Sequence, residues 1–76
     1  MSDTLLDARG LTCPLPVLRA KKALKGLDDG QILTVLATDP SARKDFPLFC
    51  QQTGQALLES TEDAPGVFRF VIRKVI

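Results

Sequence analysis

Residues 8–24, ARGLTCPLPVLRAKKAL, carry the chain out of a strand and into a helix, and their reading decides the fold. Just upstream, Thr4–Ala8 (TLLDA) is a short apolar run that stops at Arg9-Gly10, which predicts a first β-strand. From Pro14 to Lys25 the apolar residues Val17, Ala20 and Leu24 recur at helical spacing. Arg19, Lys21, Lys22 and Lys25 take the rest of the surface, and Gly26 stands where a C′ glycine ends a helix. A strand followed at once by an amphipathic helix is the first half of a β-α-β unit.

The remainder of the chain continues that unit. Asp28-Asp29-Gly30 reads as a turn, and Gln31–Thr38 (QILTVLAT) is β-branched, apolar and unbroken, as expected of a strand inside a sheet. Asp39-Pro40 has the chemistry of an N-cap and a first helical residue, and the second helix is expected to reach about Thr53, closed by Gly54. Phe46, Phe49, Cys50 and Thr53 share one face of it. Pro47 either bends that helix or separates one turn from a second that starts with Asp45 as its cap. Gln55–Thr61 is a plausible strand and Glu62–Gly66 a turn. Val67–Ile76 alternates, with Phe68, Phe70 and Ile72 on one face and Arg69 and Arg73 on the other, which completes a hairpin. The order β-α-β-α-β-β predicts a two-layer α/β sandwich: a four-stranded mixed sheet with both helices on one face, in a single domain spanning residues 1–76.

Composition limits the chemistry open to such a domain. A chain of 76 residues buries only about 60% of its unfolded surface, so most of its apolar positions must serve one core. Two cysteines separated by 36 residues match no zinc or thioredoxin-like spacing. With no signal-type apolar region and no run of about 18 apolar residues, a reducing, cytoplasmic setting away from membranes is expected. There is no histidine, which removes a Cys-His nucleophile pair, a Ser-His triad and every His-ligated metal site. Tyr and Trp are absent and no glycine-rich phosphate loop occurs. The four Phe form no exposed stacking run, so direct nucleic-acid binding is not expected. The functional group left is a thiol.

Cys13 is that thiol. A lone cysteine is most often a small buried hydrophobe, and Cys50, on the apolar stripe of the second helix, is read that way. Cys13 instead occupies or adjoins the N-cap of helix 1, where unpaired N–H groups and the macrodipole favour an anion such as a thiolate. Pro14 suits the first helical position, because a missing N–H costs nothing there, and Pro16 is tolerated in the same turn. The two prolines stiffen the turn and present the thiol. The basic set Arg19, Lys21, Lys22 and Lys25 flanks it as a candidate docking rim.

The segment LDARGLTCPLPVLRAKKAL, followed by a strand, Asp39-Pro40 and FPLFC, resembles the TusA/SirA family of sulfur-carrier proteins over essentially the whole chain. The resemblance implies a sulfurtransferase in which Cys13 accepts sulfane sulfur as a persulfide and relays it to a partner protein. It implies that Gly10, Pro14 and Pro16 shape the loop and first turn around Cys13, and it requires no cofactor. The implied partners are a protein sulfur donor, such as a cysteine desulfurase or a rhodanese-like protein, and a downstream acceptor serving tRNA thiolation or related sulfur trafficking. Asp39 matches a recurrent acidic position. Thr12 departs from members acting in tRNA thiolation, which carry a basic residue before the cysteine. Two other classes compete with this reading. A thiol-redox enzyme would need a resolving cysteine. A non-enzymatic regulatory or RNA-binding module would use the basic helix 1 with the sheet face carrying Arg69 and Arg73.

Overall fold

The computed structural model describes residues 4–12 and 14–75. The elements run β1 (Thr4–Ala8), α1 (Leu15–Lys25), β2 (Ile32–Ala37), α2 (Ala42–Thr53), β3 (Ala56–Ala64) and β4 (Val67–Arg73), the anticipated order. The sheet order is β1-β2-β4-β3, with β1 parallel to β2 and the other two pairs antiparallel. Both helices share one layer, α1 against β1 and β2 and α2 against β3 and β4.

One face of the sheet supplies the core. Leu33, Val35 and Ala37 of β2 alternate into it, as do Phe68, Phe70 and Ile72 of β4, and the helices close it with Ala20, Leu24, Ala42, Phe46, Phe49 and Cys50. The centre is aromatic: the Phe46 and Phe70 rings stack with centroids 4.6 Å apart and planes inclined by 21°. The opposite face is open. Arg69 pairs there with Glu59 at 3.0 Å.

Several boundaries differ from expectation for definable reasons. Helix α1 begins at Leu15, with Pro14 at the N-cap and not at the first helical position. Gly26 ends α1 in a right-handed conformation, φ −87°, its N–H donating to the Ala23 carbonyl and that of Leu27 to the Leu24 carbonyl, so no left-handed cap forms. The Lys74 ammonium donates to the Leu24 carbonyl at 2.6 Å, a cation placed on the negative end of the helix. Gly54 is the left-handed cap, φ +81°, and its N–H donates to the Cys50 carbonyl.

At the start of α2 the N-cap is Ser41 and the first helical residue Ala42, where Asp39 and Pro40 are expected from sequence, because Asp39 and Pro40 belong to a turn that precedes the helix. Asp39 Oδ1 accepts the Ser41 N–H at 3.0 Å, and a tight turn from Asp39 through Ser41 leads into Ala42. The helix runs through Pro47 without a second start at Asp45. Thr53 is exposed rather than part of the buried stripe, its hydroxyl donating to the Phe49 carbonyl at 2.7 Å; Ala42 takes the buried place instead. Strand β3 reaches Ala64, so Glu62 and Asp63 lie in the strand and the turn shrinks to Pro65-Gly66. β3 is an edge strand with two register shifts, where acidic side chains reach water and discourage pairing with another chain.

Candidate functional site

The site begins where β1 ends. Leu11 N–H donates to the Ala8 carbonyl at 3.2 Å, closing a turn in which Gly10 has φ +82°. A Cβ at Gly10 would meet nothing within 4 Å, so glycine is required by backbone conformation and not by space. Arg9 is fixed on the preceding strand: its Nε and Nη2 donate to the two carboxylate oxygens of Asp7 at 2.8 and 2.9 Å, and its N–H to Asp7 Oδ1 at 3.1 Å. These bonds, the side-chain ones first, hold the Asp7 carboxyl down to about 2. The Gly10 N–H donates to Thr38 Oγ1 at 2.9 Å, tying the loop to the end of β2.

Cys13 lies outside the described residues. Its neighbours define the frame around that position in the chain. Leu15 N–H donates to the Thr12 carbonyl at 2.9 Å and Leu18 N–H to the Pro14 carbonyl at 3.1 Å, so the backbone enters α1 through a closed turn. Pro14 is exposed, whereas Pro16, the second helical residue, is buried and anchors the turn in the domain. The two prolines lack N–H groups and that of Leu15 is already committed. Direct N–H donation toward an anion at this end is therefore smaller than helix N-termini usually provide, and the axial dipole becomes the larger contribution. The first turn carries no acidic residue to oppose it.

The basic residues divide into two groups. Arg19 and Lys22 border a surface depression with Leu15 and Leu18, whose exposures of 44% and 53% mark them as solvent-facing. Lys21 and Lys25 face the other way, along a groove that includes Phe49, Thr53 and Lys74. All four cations are exposed, and ion pairs join Arg9 to Asp7 and Arg69 to Glu59. A third groove, about 220 Å³, runs between Pro14 and Val17 of α1 and Asp45, Leu48, Phe49 and Gln52 of α2. Leu48, at 51% exposure, gives it an apolar wall. The sequence singled out the cations but not these leucines, because Leu15, Leu18 and Leu48 lie off the core stripes and only the fold shows that they line surface grooves along α1.

Cys50 is buried, as anticipated, and desolvation pushes its thiol up. All four phenylalanines are buried, so the open sheet face carries no aromatic stacking platform, and its Arg69 is engaged by Glu59. Among the described residues no group of three or more potential metal ligands gathers, and no helix is long and apolar enough to cross a membrane.

A family model described as sulfurtransferase TusA matches residues 4–74. The chain belongs to the TusA family. It is 56% identical over 72 residues to the sulfur carrier protein TusA of Allochromatium vinosum, covering 95% of this chain and 93% of that one. It is 53% identical over 73 residues to a putative sulfur carrier protein of Neisseria meningitidis serogroup A, covering 96% and 97%. The crystal structure of a SirA-like protein from Desulfitobacterium hafniense superposes with a TM-score of 0.84 at 34% identity, over 96% of this chain and 99% of the other. The TusA-family assignment makes the chain a sulfur carrier of the sulfurtransferase class, and a TusA-type carrier works between protein donors and acceptors.

Proposed function

We propose that Cys13 is the sulfur-carrying residue of this TusA-family protein and relays persulfide sulfur from a donor protein, such as a cysteine desulfurase or rhodanese-like protein, to an acceptor protein. The observation that carries the reading is the family match across residues 4–74, which brackets Cys13-Pro14-Leu15-Pro16 at the entrance to α1. The chemistry balances without a cofactor. The Cys13 thiolate attacks the terminal sulfur of the donor persulfide and a new S–S bond forms. The donor's S–S bond breaks, and its electron pair leaves on the donor thiolate. The terminal proton travels with the transferred sulfur. Delivery repeats the exchange, with the acceptor thiolate as nucleophile and Cys13 as leaving group. A low thiol pKa serves both halves, since it supplies the attacking thiolate and makes Cys13 a good leaving group. The setting is cytoplasmic and reducing, and tRNA thiolation or related sulfur trafficking is the destination.

Alkylation tests the activation of the thiol. Cys13 is expected to react with iodoacetamide first, with an apparent pKa below the free-thiol value of about 8.5. Cys50 should stay protected until the protein unfolds, because it is buried and its thiolate is disfavoured. Peptide mapping across a pH series separates the two sites. A native-state pattern in which Cys50 reacts ahead of Cys13 would remove Cys13 as the nucleophile.

The exposed cations of α1, Arg19 and Lys22 on one side and Lys21 and Lys25 on the other, fit a docking role for this helix. Reversing Lys21, Lys22 and Lys25 to Glu together is expected to slow association with an acidic partner by roughly tenfold or more at low salt and to flatten its salt dependence. Cys13 alkylation by the small neutral reagent should hardly change. Stopped-flow association rates at two ionic strengths read this directly, and equal rates for variant and wild type would remove docking from the lysines of α1.

A further inference from the structure

The loop that leads into Cys13 is held from a distant part of the chain. Thr38 follows Ala37, whose Cα is the register partner of Ala8 in the parallel pair, so β2 ends beside the point where the chain leaves β1. From there its Oγ1 accepts the Gly10 N–H at 2.9 Å across 28 residues of sequence. Gly10 is the left-handed corner of the loop, with φ +82°, and a Cβ there would meet nothing within 4 Å. The next residue, Asp39, accepts the Ser41 N–H at 3.0 Å and starts the turn into α2. Two adjacent residues thus fix two helix entrances: Thr38 the loop before α1, Asp39 the turn before α2. Between those helices lies the groove lined by Pro14 and Val17 on one side and Asp45 and Leu48 on the other.

We propose that Thr38 is a positioning residue for sulfur transfer: through its bond to Gly10 it holds the β1–α1 loop in the one arrangement that a partner protein must meet. The proposal rests on the carrier role of Cys13. A loop ordered before docking loses less conformational freedom when the partner's persulfide sulfur is brought to it. A small reagent that diffuses to the thiol needs no such alignment. The hydroxyl therefore matters for protein-to-protein transfer far more than for intrinsic thiol reactivity.

Two pairs of variants isolate the hydroxyl. Thr38→Val keeps the shape of threonine and removes the acceptor, while Thr38→Ser and Thr38→Ala both lack the methyl group and differ only in the hydroxyl. Each is assayed in three ways: hydrogen exchange at the Gly10 amide, kcat/KM for sulfur uptake from a purified bacterial cysteine desulfurase with L-cysteine, and the rate of Cys13 alkylation by iodoacetamide. Thr38→Val is expected to speed Gly10 exchange and lower kcat/KM by about fivefold each, the size of one neutral hydrogen bond, with alkylation within about twofold of wild type. Thr38→Ser should restore both values and Thr38→Ala should not. If Thr38→Val fails to fold, the Ser and Ala pair gives the same comparison. Equal kcat/KM in wild type and Thr38→Val, or in the Ser and Ala variants, overturns the positioning role while leaving the carrier role intact. Unchanged Gly10 protection in the variants without a hydroxyl overturns it as well. Absence of any desulfurase-dependent sulfur on Cys13 in the wild type overturns the carrier reading and this proposal with it.

Discussion

Cys13→Ser is expected to reduce protein-to-protein sulfur transfer to the level of a reaction without the carrier, while the variant folds with wild-type stability. A serine hydroxyl is not ionised near neutral pH and forms no persulfide, so neither half of the exchange has a substitute atom. Cys50 cannot stand in for it: its side chain lies in the core with Phe46 and Phe49, and burial keeps its thiol protonated. The measurement is multiple-turnover transfer of labelled sulfur from L-cysteine, through a desulfurase and this protein, to an acceptor thiol. Loss of transfer with an unchanged urea unfolding midpoint supports Cys13 as carrier. Full transfer by the serine variant would instead favour a regulatory or scaffolding role for the basic helix.

Phe70→Ala is expected to cost roughly 3–5 kcal/mol of stability. Phe70 is fully buried on β4 and stacks on Phe46 of α2, so truncation removes both a large apolar surface and the contact that locks the helix layer to the centre of the sheet. A domain of 76 residues is held together by only about 4–11 kcal/mol, so the change consumes much of the total. Urea unfolding followed by far-UV circular dichroism should show a midpoint shifted far toward zero denaturant, or a chain already unfolded in buffer. A loss below about 1 kcal/mol would mean that the aromatic pair is not the centre of the core.

The features legible in the sequence were those set by local periodicity. β1 falls on Thr4–Ala8 as expected, and the alternation of Phe68, Phe70 and Ile72 against Arg69 and Arg73 survives intact because one face of β4 is buried and the other open. Gly54 ends α2 in the left-handed conformation expected of a C′ glycine. Gly26, which looks the same in sequence, does not. There Lys74, just past the end of β4, caps the last turn, and a contact over 50 positions of sequence leaves no local signal. Glu62 and Asp63 read as turn residues because strands usually exclude them, but an edge strand facing water accepts them. Pro47 marks no helix boundary, since Phe46 and Phe49 on either side are both pinned in the core.

The site was legible in its chemistry and less so in its frame. With histidine absent, attention falls on a thiol, and two prolines beside Cys13 distinguish it from Cys50. The tie between Gly10 and Thr38 spans 28 residues and depends on the parallel pairing of β1 with β2, so no short-range pattern reveals it. Leu15 and Leu18 likewise disappear into the helical pattern of α1 until the fold shows that α2 leaves them uncovered.

The most direct test of the central claim is the mass of the protein after incubation with a cysteine desulfurase and L-cysteine, followed by peptide mapping under non-reducing conditions. The expected result is an added mass of one sulfur atom, confined to the peptide containing Cys13, removed by a thiol reductant and absent when L-cysteine is omitted. An unmodified Cys13, or sulfur found on Cys50 instead, would contradict it.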